Sequence, residues 1–228
     1  LRSGEPMQGL EVSLPEASFS WTLCPMTSHG LVRGYGIDTT SAGFAGYGFS
    51  LDGQFRLHFG EAGFGWVFAA DVIVNSYDTK DFKKAFFGSY TWGEDQITSF
   101  EFDSWWLTIP ILMGPRFDVP IVGKFVVYGQ TMGGPSFHRA PNVTFRGVTP
   151  NGTPIKGEFL YNAAPSLALS LETGFLLGRL SLGSRFSWLG GSKVNSEVPV
   201  YSQGAISSRT YERRFPVSIW QFLVGVEF

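Results

Sequence analysis

The sequence predicts an all-β chain, a single eight-stranded antiparallel transmembrane β-barrel covering residues 1–228. Three observations lead to this fold. Apolar and polar residues alternate with period 2 in eight successive segments, the pattern of a pleated strand with two unlike faces. No apolar run reaches the ~18 residues of a transmembrane helix, and only helices and closed barrels satisfy every backbone group in lipid. The connections between segments alternate short and long, as in membrane barrels with short turns at one end and long outer loops at the other.

The segments follow in order. The first, about residues 8–21, sets Leu10, Val12 and Leu14 in one phase and Phe19 and Trp21 in the other, with Pro15 at the switch, where a bulge or edge position tolerates it. The second, about 43–59, is the cleanest: Phe49, Leu51, Phe55, Leu57 and Phe59 alternate with Ser50, Asp52, Gln54, Arg56 and His58. After the turn at 60–63, the third (about 64–77) opposes Trp66, Phe68, Ala70, Val72 and Val74 to Asp71, Asn75 and Tyr77. The fourth, about 98–113, sets Trp105, Leu107, Ile109 and Ile111 against Ser104, Thr108 and Pro110. The connector 114–120, carrying Pro115 and Pro120, reads as a turn, and the fifth strand (about 121–136) is the least regular.

The sixth, about 162–176, carries Leu167, Leu169, Leu171 and Phe175 opposite Ser166, Ala168, Ser170, Glu172 and Gly174. A tight turn near Gly178 gives the seventh (about 179–189), with Leu180, Leu182, Phe186 and Trp188 opposite Arg179, Ser181, Gly183, Arg185 and Ser187. The eighth runs from about 214 to the end, where Trp220, Phe222, Val224, Val226 and Phe228 form an apolar row. Residues 22–42, 78–97, 137–160 and 190–213 are read as long loops.

The polar rows decide which way the barrel faces. A soluble barrel needs a charged exterior, but the chain is 16% charged and 16% aromatic, and its polar rows are small and sparsely charged. The large aromatics belong on the apolar row, where lipid rewards them. Lysine and arginine do not exceed the acids (net charge −2), which argues against a nucleic-acid partner. Cys24 stands alone and forms no internal disulfide; Leu23-Cys24 lacks the basic start and long apolar stretch of a lipoprotein signal. The opening Leu1-Arg-Ser-Gly-Glu is no secretory signal, so a mature, exported form is expected.

The carboxyl-terminal strand ending on Phe228 resembles the closing strand of bacterial outer-membrane barrels, whose terminal segment is read by the barrel-assembly machinery. Trp105-Trp-Leu-Thr-Ile-Pro-Ile-Leu-Met113 is similar to the Tyr-Leu-Glu-Ile-Pro-Leu-Leu pattern of Bacteroidetes-type outer-membrane β-barrel proteins, relatives of the OmpA/OmpX-like small barrels of the porin family. The order after it, a Val-Tyr-Gly strand ending Gly133-Gly-Pro-Ser, a long loop, then the Leu-rich strands, also looks like that family, over about residues 100–228. The family's glutamate before Ile-Pro is Thr108 here, so no role of that carboxylate carries over. The resemblance implies the bacterial outer membrane as location, lipopolysaccharide or phospholipid as surroundings, and protein partners in an outer-membrane complex, such as type IX secretion or surface assembly.

Two candidate regions follow from the residues. An eight-stranded barrel is just wide enough to be filled by side chains, so Asp52, Arg56, His58, Asp71, Glu172, Arg179, Arg185 and Glu227 are expected as a lumen polar cluster, a structural plug or, alternatively, the lining of a narrow pathway for ions or small solutes. Loop residues Lys80, Phe82, Lys83, Lys84, Phe86, Phe87, Tyr90 and Trp92 are a candidate recognition loop or an interfacial girdle with snorkelling lysines. A loop-based adhesin or receptor is a further alternative. The three histidines, His29, His58 and His138, lack metal-site spacing and do not assemble a catalytic constellation by sequence, so neither enzyme activity nor a metal or other cofactor is expected.

Overall fold

The computed structural model describes residues 16–29, 45–59, 63–89, 97–102, 105–148, 152–161, 163–202 and 205–228. Eight strands close on themselves: β1 (Glu16–His29), β2 (Ala45–Phe59), β3 (Phe64–Tyr77), β5 (Trp106–Val122), β6 (Phe125–Arg139), β9 (Ala164–Leu177), β10 (Leu180–Ser202) and β11 (Ala205–Glu227). All pairings are antiparallel, and β11 hydrogen-bonds both β10 and β1, so the cylinder has no free edge among these strands. Three shorter strands, β4 (Ile97–Phe102), β7 (Val143–Val148) and β8 (Pro154–Tyr161), continue from the far end of β10 as β10-β8-β7-β4. A helix, α1 (Thr79–Ser89), packs on them.

The period-2 pattern becomes an inside and an outside. On β2, Ser50, Asp52, Gln54 and Arg56 are buried while Phe49, Leu51, Phe55 and Phe59 are exposed. On β3, Val67, Ala69, Asp71, Ile73 and Asn75 face in, and Phe68 and Val72 face out. The exposed wall of β9 carries Leu167, Leu169, Leu171 and Phe175, and that of β11 carries Trp220, Phe222, Val224 and Val226. Large apolar side chains left on a surface in unbroken rows make sense only where the solvent is lipid. No helix among the described residues is long and apolar enough to cross a membrane.

Several expectations need correction. The segment 114–120 is not a turn: β5 runs through it to Val122, and the reversal is the pair Gly123-Lys124, where Gly123 has φ 56°. Residues 98–102 do not begin that strand but form most of β4. The first strand extends through residues 22–29, and β10 and β11 reach far into the expected loop 190–213, pairing down to Ser202 and Ala205. The loops 78–97 and 137–160 hold α1, β7 and β8. Residues 8–15 of the expected first strand lie outside the described residues.

Formation of α1 is local in origin. Asp78 is its N-cap, with Oδ1 accepting the Lys80 amide at 3.1 Å. Phe82 and Phe86, four residues apart, share one face and are fully buried, while Lys80, Lys83 and Lys84 are exposed. Phe86 lies 5.1 Å from both Phe100 and Phe145, and Phe82 lies 5.6 Å from Phe102 and 5.9 Å from Phe159, most of them edge-on, the arrangement aromatic quadrupoles favour. This aromatic core is continuous with the apolar inner residues Ile73, Trp106, Leu189 and Ile219, so α1, β4, β7 and β8 form a cap at the outer end of the barrel.

Candidate functional site: a filled lumen beneath an outer cap

Arg185 sits at the centre of the lumen because β10 alternates and its neighbours β9 and β11 place Glu172 and Gln221 opposite it. Its Nη1 and Nη2 each lie 3.0 Å from an oxygen of Asp52, and its Nε donates to Glu172 Oε2 at 2.7 Å. A third carboxylate, Asp71, approaches Nη1 at 3.5 Å. All four side chains are at most 1% exposed. A buried ion pair survives only where hydrogen bonds satisfy what is left of each partner, and two amides do this. Gln54 Nε2 donates to Asp52 at 2.8 Å, and Gln130 Nε2 donates to Glu172 at 2.9 Å.

The network continues toward the end with the short turns. Arg116 donates to Gln130 at 3.0 Å, pairs with Asp118 at 2.7 Å, and lies 3.8 Å above the ring of Tyr128, a cation–π contact. The Tyr128 hydroxyl donates to Glu172 Oε1 at 3.0 Å. It fits because Gly174 and Gly183 face each other across β9 and β10; a Cβ on either would stand 2.7 or 2.6 Å from that oxygen. Arg56 reaches Glu227 at 2.8 Å.

Of the expected lumen cluster, Asp52, Arg56, Asp71, Glu172 and Arg185 are thus buried together. Glu227 and His58 are partly exposed at the rim, where His58 lies 3.5 Å from Asp118. Arg179 is the exception: it is exposed as the second residue of the Gly178-Arg179 turn, two positions before the first inward residue, Ser181. Sequence reasoning missed Arg116, Tyr128 and Gln130. The first fell in the supposed turn, and the other two lie on the strand whose phase was least regular.

A second polar chain spans the outer rim. Trp106 Nε1 donates to Thr108 Oγ1 at 3.2 Å; Thr108 Oγ1 meets His138 Nδ1 at 3.1 Å; and His138 Nε2 meets Ser166 Oγ at 2.7 Å. The position beyond the imidazole is a hydroxyl, where an acyl-transfer triad has a carboxylate to hold the imidazolium. The chain joins β5, β6 and β9 below the cap. No group of three or more His, Cys, Asp or Glu side chains able to hold a metal occurs among the described residues.

The candidate recognition loop divides. Lys80, Lys83 and Lys84 are exposed, but Phe82 and Phe86 are cap core, and Phe87 is partly buried against Phe86 and Phe100. These aromatic rings serve the cap's own packing instead of presenting a contact face. Tyr90 and Trp92 lie outside the described residues. The terminal row Trp220, Phe222, Val224, Val226 and Phe228 is exposed on the outer wall. A groove of about 500 Å³ also opens on that wall, lined by Trp66, Met113, Gly114, Gly133, Leu169 and Trp188 among others.

An apolar wall, a hydrophilic axis, eight antiparallel strands and longer excursions at one end are the features of outer-membrane-type barrels, with the short turns in the periplasm. The chain is a transmembrane barrel of the bacterial outer membrane. No protein-family model and no curated sequence matches it. Solved structures that resemble it include Neisserial surface protein A (12% identity, 92% of this chain and 95% of that one, TM-score 0.43). Another is Ail, the attachment invasion locus protein of Yersinia pestis, in complex with the heparin analogue sucrose octasulfate (12% identity, 95% and 100%, TM-score 0.43). A third is a major outer membrane protein of Thermus thermophilus (10% identity, 93% and 100%, TM-score 0.45). The likeness to these small outer-membrane barrels is one of general fold.

Proposed function

We propose that this chain is a non-catalytic, non-conducting outer-membrane barrel that holds its cap at the outer surface as a contact platform for another macromolecule, a scaffold or accessory part of an outer-membrane assembly. The observation that carries the reading is the lumen. Arg185, Asp52, Glu172, Gln130, Arg116 and Tyr128 bridge β2, β5, β6, β9 and β10 across the axis through direct side-chain bonds. A conducting path would have to break several buried charge pairs at once. The cap supports the second half: it is built on its own aromatic core and leaves lysines of α1 outward.

Two experiments test it. In planar bilayers the purified barrel passes no resolvable single-channel current, whereas regular unitary steps altered by Arg185→Ala would establish the channel reading. Gentle detergent extraction from native membranes brings out stoichiometric companions, and exchanging Lys80, Lys83 and Lys84 for glutamate releases them while the barrel stays folded. Recovery only as a free monomer in several mild detergents contradicts the platform reading.

A further inference from the structure

The groove on the outer wall belongs to neither the lumen nor the cap. Thr131 and Gly133 of β6 form its floor; Met113 of β5, Leu169 and Leu171 of β9 and Trp188 of β10 stand around it, and it holds about 500 Å³. It arises in the outward row of β6. Between the inward Tyr128, Gln130 and Met132 that row reads Val127, Gly129, Thr131 and Gly133. Gly133 pairs with Met113 on one side and Leu169 on the other, so the missing side chain leaves a slot between two large ones. Toward the periplasmic end Gly129 pairs with Thr173, and a Cβ added at Gly129 would meet nothing within 4 Å. The slot therefore stays open in that direction.

Its shape selects the occupant. β6 is already hydrogen-bonded to β5 and β9, so no further strand can add to it. Those two flanking strands are roughly 9.6 Å apart, two strand spacings, and their side chains narrow the slot further. A helix, about 10 Å across, does not enter; a single hydrocarbon chain does. The surrounding wall faces lipid, so such chains are the solvent of this surface.

A second observation lies at the rim of the same strands. β6 begins and β9 ends at adjoining turns, where the Gly178 amide donates to the Lys124 carbonyl at 3.2 Å. Lys124 and Arg179 are both exposed there, and neither has an acidic partner among the described residues. The rim acids Glu227 and Asp118 are held by Arg56 and Arg116. Long basic side chains at a membrane edge extend to the headgroup level, and phosphate is a strong partner for both types. From Lys124 to Thr131 the strand covers roughly 23 Å at ~3.3 Å per residue, or about 18 Å of depth at a tilt of ~40°. Half of the hydrocarbon core is about 15 Å, so an acyl chain whose headgroup lies at these turns reaches the groove.

We infer that a glycerophospholipid of the periplasmic leaflet is held at this site, with one acyl chain in the slot along β6 and its phosphate against Lys124 and Arg179. The charge of the rim and the width of the slot specify the two ends of the same molecule.

The test folds the full chain in phosphatidylglycerol vesicles, transfers it to mild detergent and weighs it by native mass spectrometry. Wild-type protein is expected to retain one phosphatidylglycerol. Gly133→Leu fills the slot, and its new Cβ meets only the flexible tip of Leu169, at 3.2 Å; this variant is expected to emerge bare with its heat-modifiable mobility intact. If it fails to fold, Thr131→Phe occludes the same space from an exposed position. Lys124→Gln with Arg179→Gln is expected to reduce the retained lipid several-fold. In vesicles, phosphatidylglycerol spin-labelled near the chain end shows an immobilised component with wild-type protein that the filled variant lacks. Absence of a retained lipid would overturn the inference, as would retention unchanged by filling the slot or by removing the two cations. Displacement of the phospholipid by added lipopolysaccharide would assign the groove to the opposite leaflet, and a lipid-free dimer lost in Gly133→Leu would assign it to a second copy of the chain; either result contradicts the site inferred here.

Discussion

Arg185 and Asp52, separated by 133 positions in sequence, meet across the barrel axis through two parallel hydrogen bonds of 3.0 Å each. The pairing is the planar fork of a guanidinium against a carboxylate, the strong geometry for an ion pair. It ties β10, near the end of the chain, to β2 near its beginning. Removing one partner strands the other in a place water does not reach. Arg185→Leu is therefore expected to destabilise the folded barrel by about 3–5 kcal/mol, read as a lower urea midpoint in detergent. A loss below about 1 kcal/mol would show that the pair is idle.

The outer wall answers to different rules. Leu171 lies between the inward Ser170 and Glu172 on β9 and is 59% exposed. Leu171→Arg puts a cation into hydrocarbon and is expected to cost about 2–4 kcal/mol when the barrel folds in a bilayer, with less effect near the interfaces. Folding titrations in phospholipid vesicles measure it.

Phe86 is the centre of the cap, in ring contact with Phe82, Phe87, Phe100, Phe145 and Phe159. Phe86→Ala is expected to lower cap stability by about 3–5 kcal/mol, the usual result of emptying an aromatic site in a packed core. Proteolysis within residues 79–102 should accelerate while the heat-modifiable mobility of the barrel persists. Simultaneous loss of both would mean that cap and barrel unfold as one cooperative unit.

Tyr128 depends on the paired glycines behind it. Gly174→Val drives a side chain against the Tyr128 hydroxyl and the Leu182 carbonyl, 2.7 and 2.4 Å from the Cβ position, and is expected to cost about 1–3 kcal/mol through overpacking. Tyr128→Phe loses only the bond to Glu172, about 1–2 kcal/mol. In the double variant Gly174→Val, Tyr128→Phe the two losses should not add, since the phenylalanine ring lacks the oxygen that clashes.

How much of this was legible in the sequence depended on the element. β3 was readable to the residue in its bounds, because Trp66, Phe68, Val72 and Val74 recur at period 2 opposite Asp71 and Asn75 after a glycine turn. β5 was not, because Pro115 and Pro120 suggest a turn. The structure keeps one register through them, pairing Pro110 with Ser136, Met113 with Gly133 and Arg116 with Gln130, while the ladder to β6 has gaps at 111–112 and 114–115, beside residues that lack an amide hydrogen. α1 was hidden inside a stretch read as loop, although Asp78 followed by Phe82 and Phe86 at helical spacing is a start signal. In the lumen, alternation identified Asp52, Asp71, Glu172 and Arg185 as facing in. It gave no means of knowing which would touch, since those pairings depend on how the barrel closes. The Thr108–His138–Ser166 chain likewise joins three strands whose adjacency only the closed sheet establishes.

The direction in which the wall faces is tested most directly by spin labels placed singly along residues 167–173 of β9, in a Cys24→Ser background, with the protein in lipid vesicles. Labels at Leu167, Leu169, Leu171 and Thr173 are expected to be relaxed strongly by oxygen dissolved in the bilayer, and labels at Ala168, Ser170 and Glu172 to be shielded from it, a strict alternation along the strand. Uniform accessibility along the segment, or alternation in the opposite phase, would contradict a lipid-facing apolar wall around a polar axis.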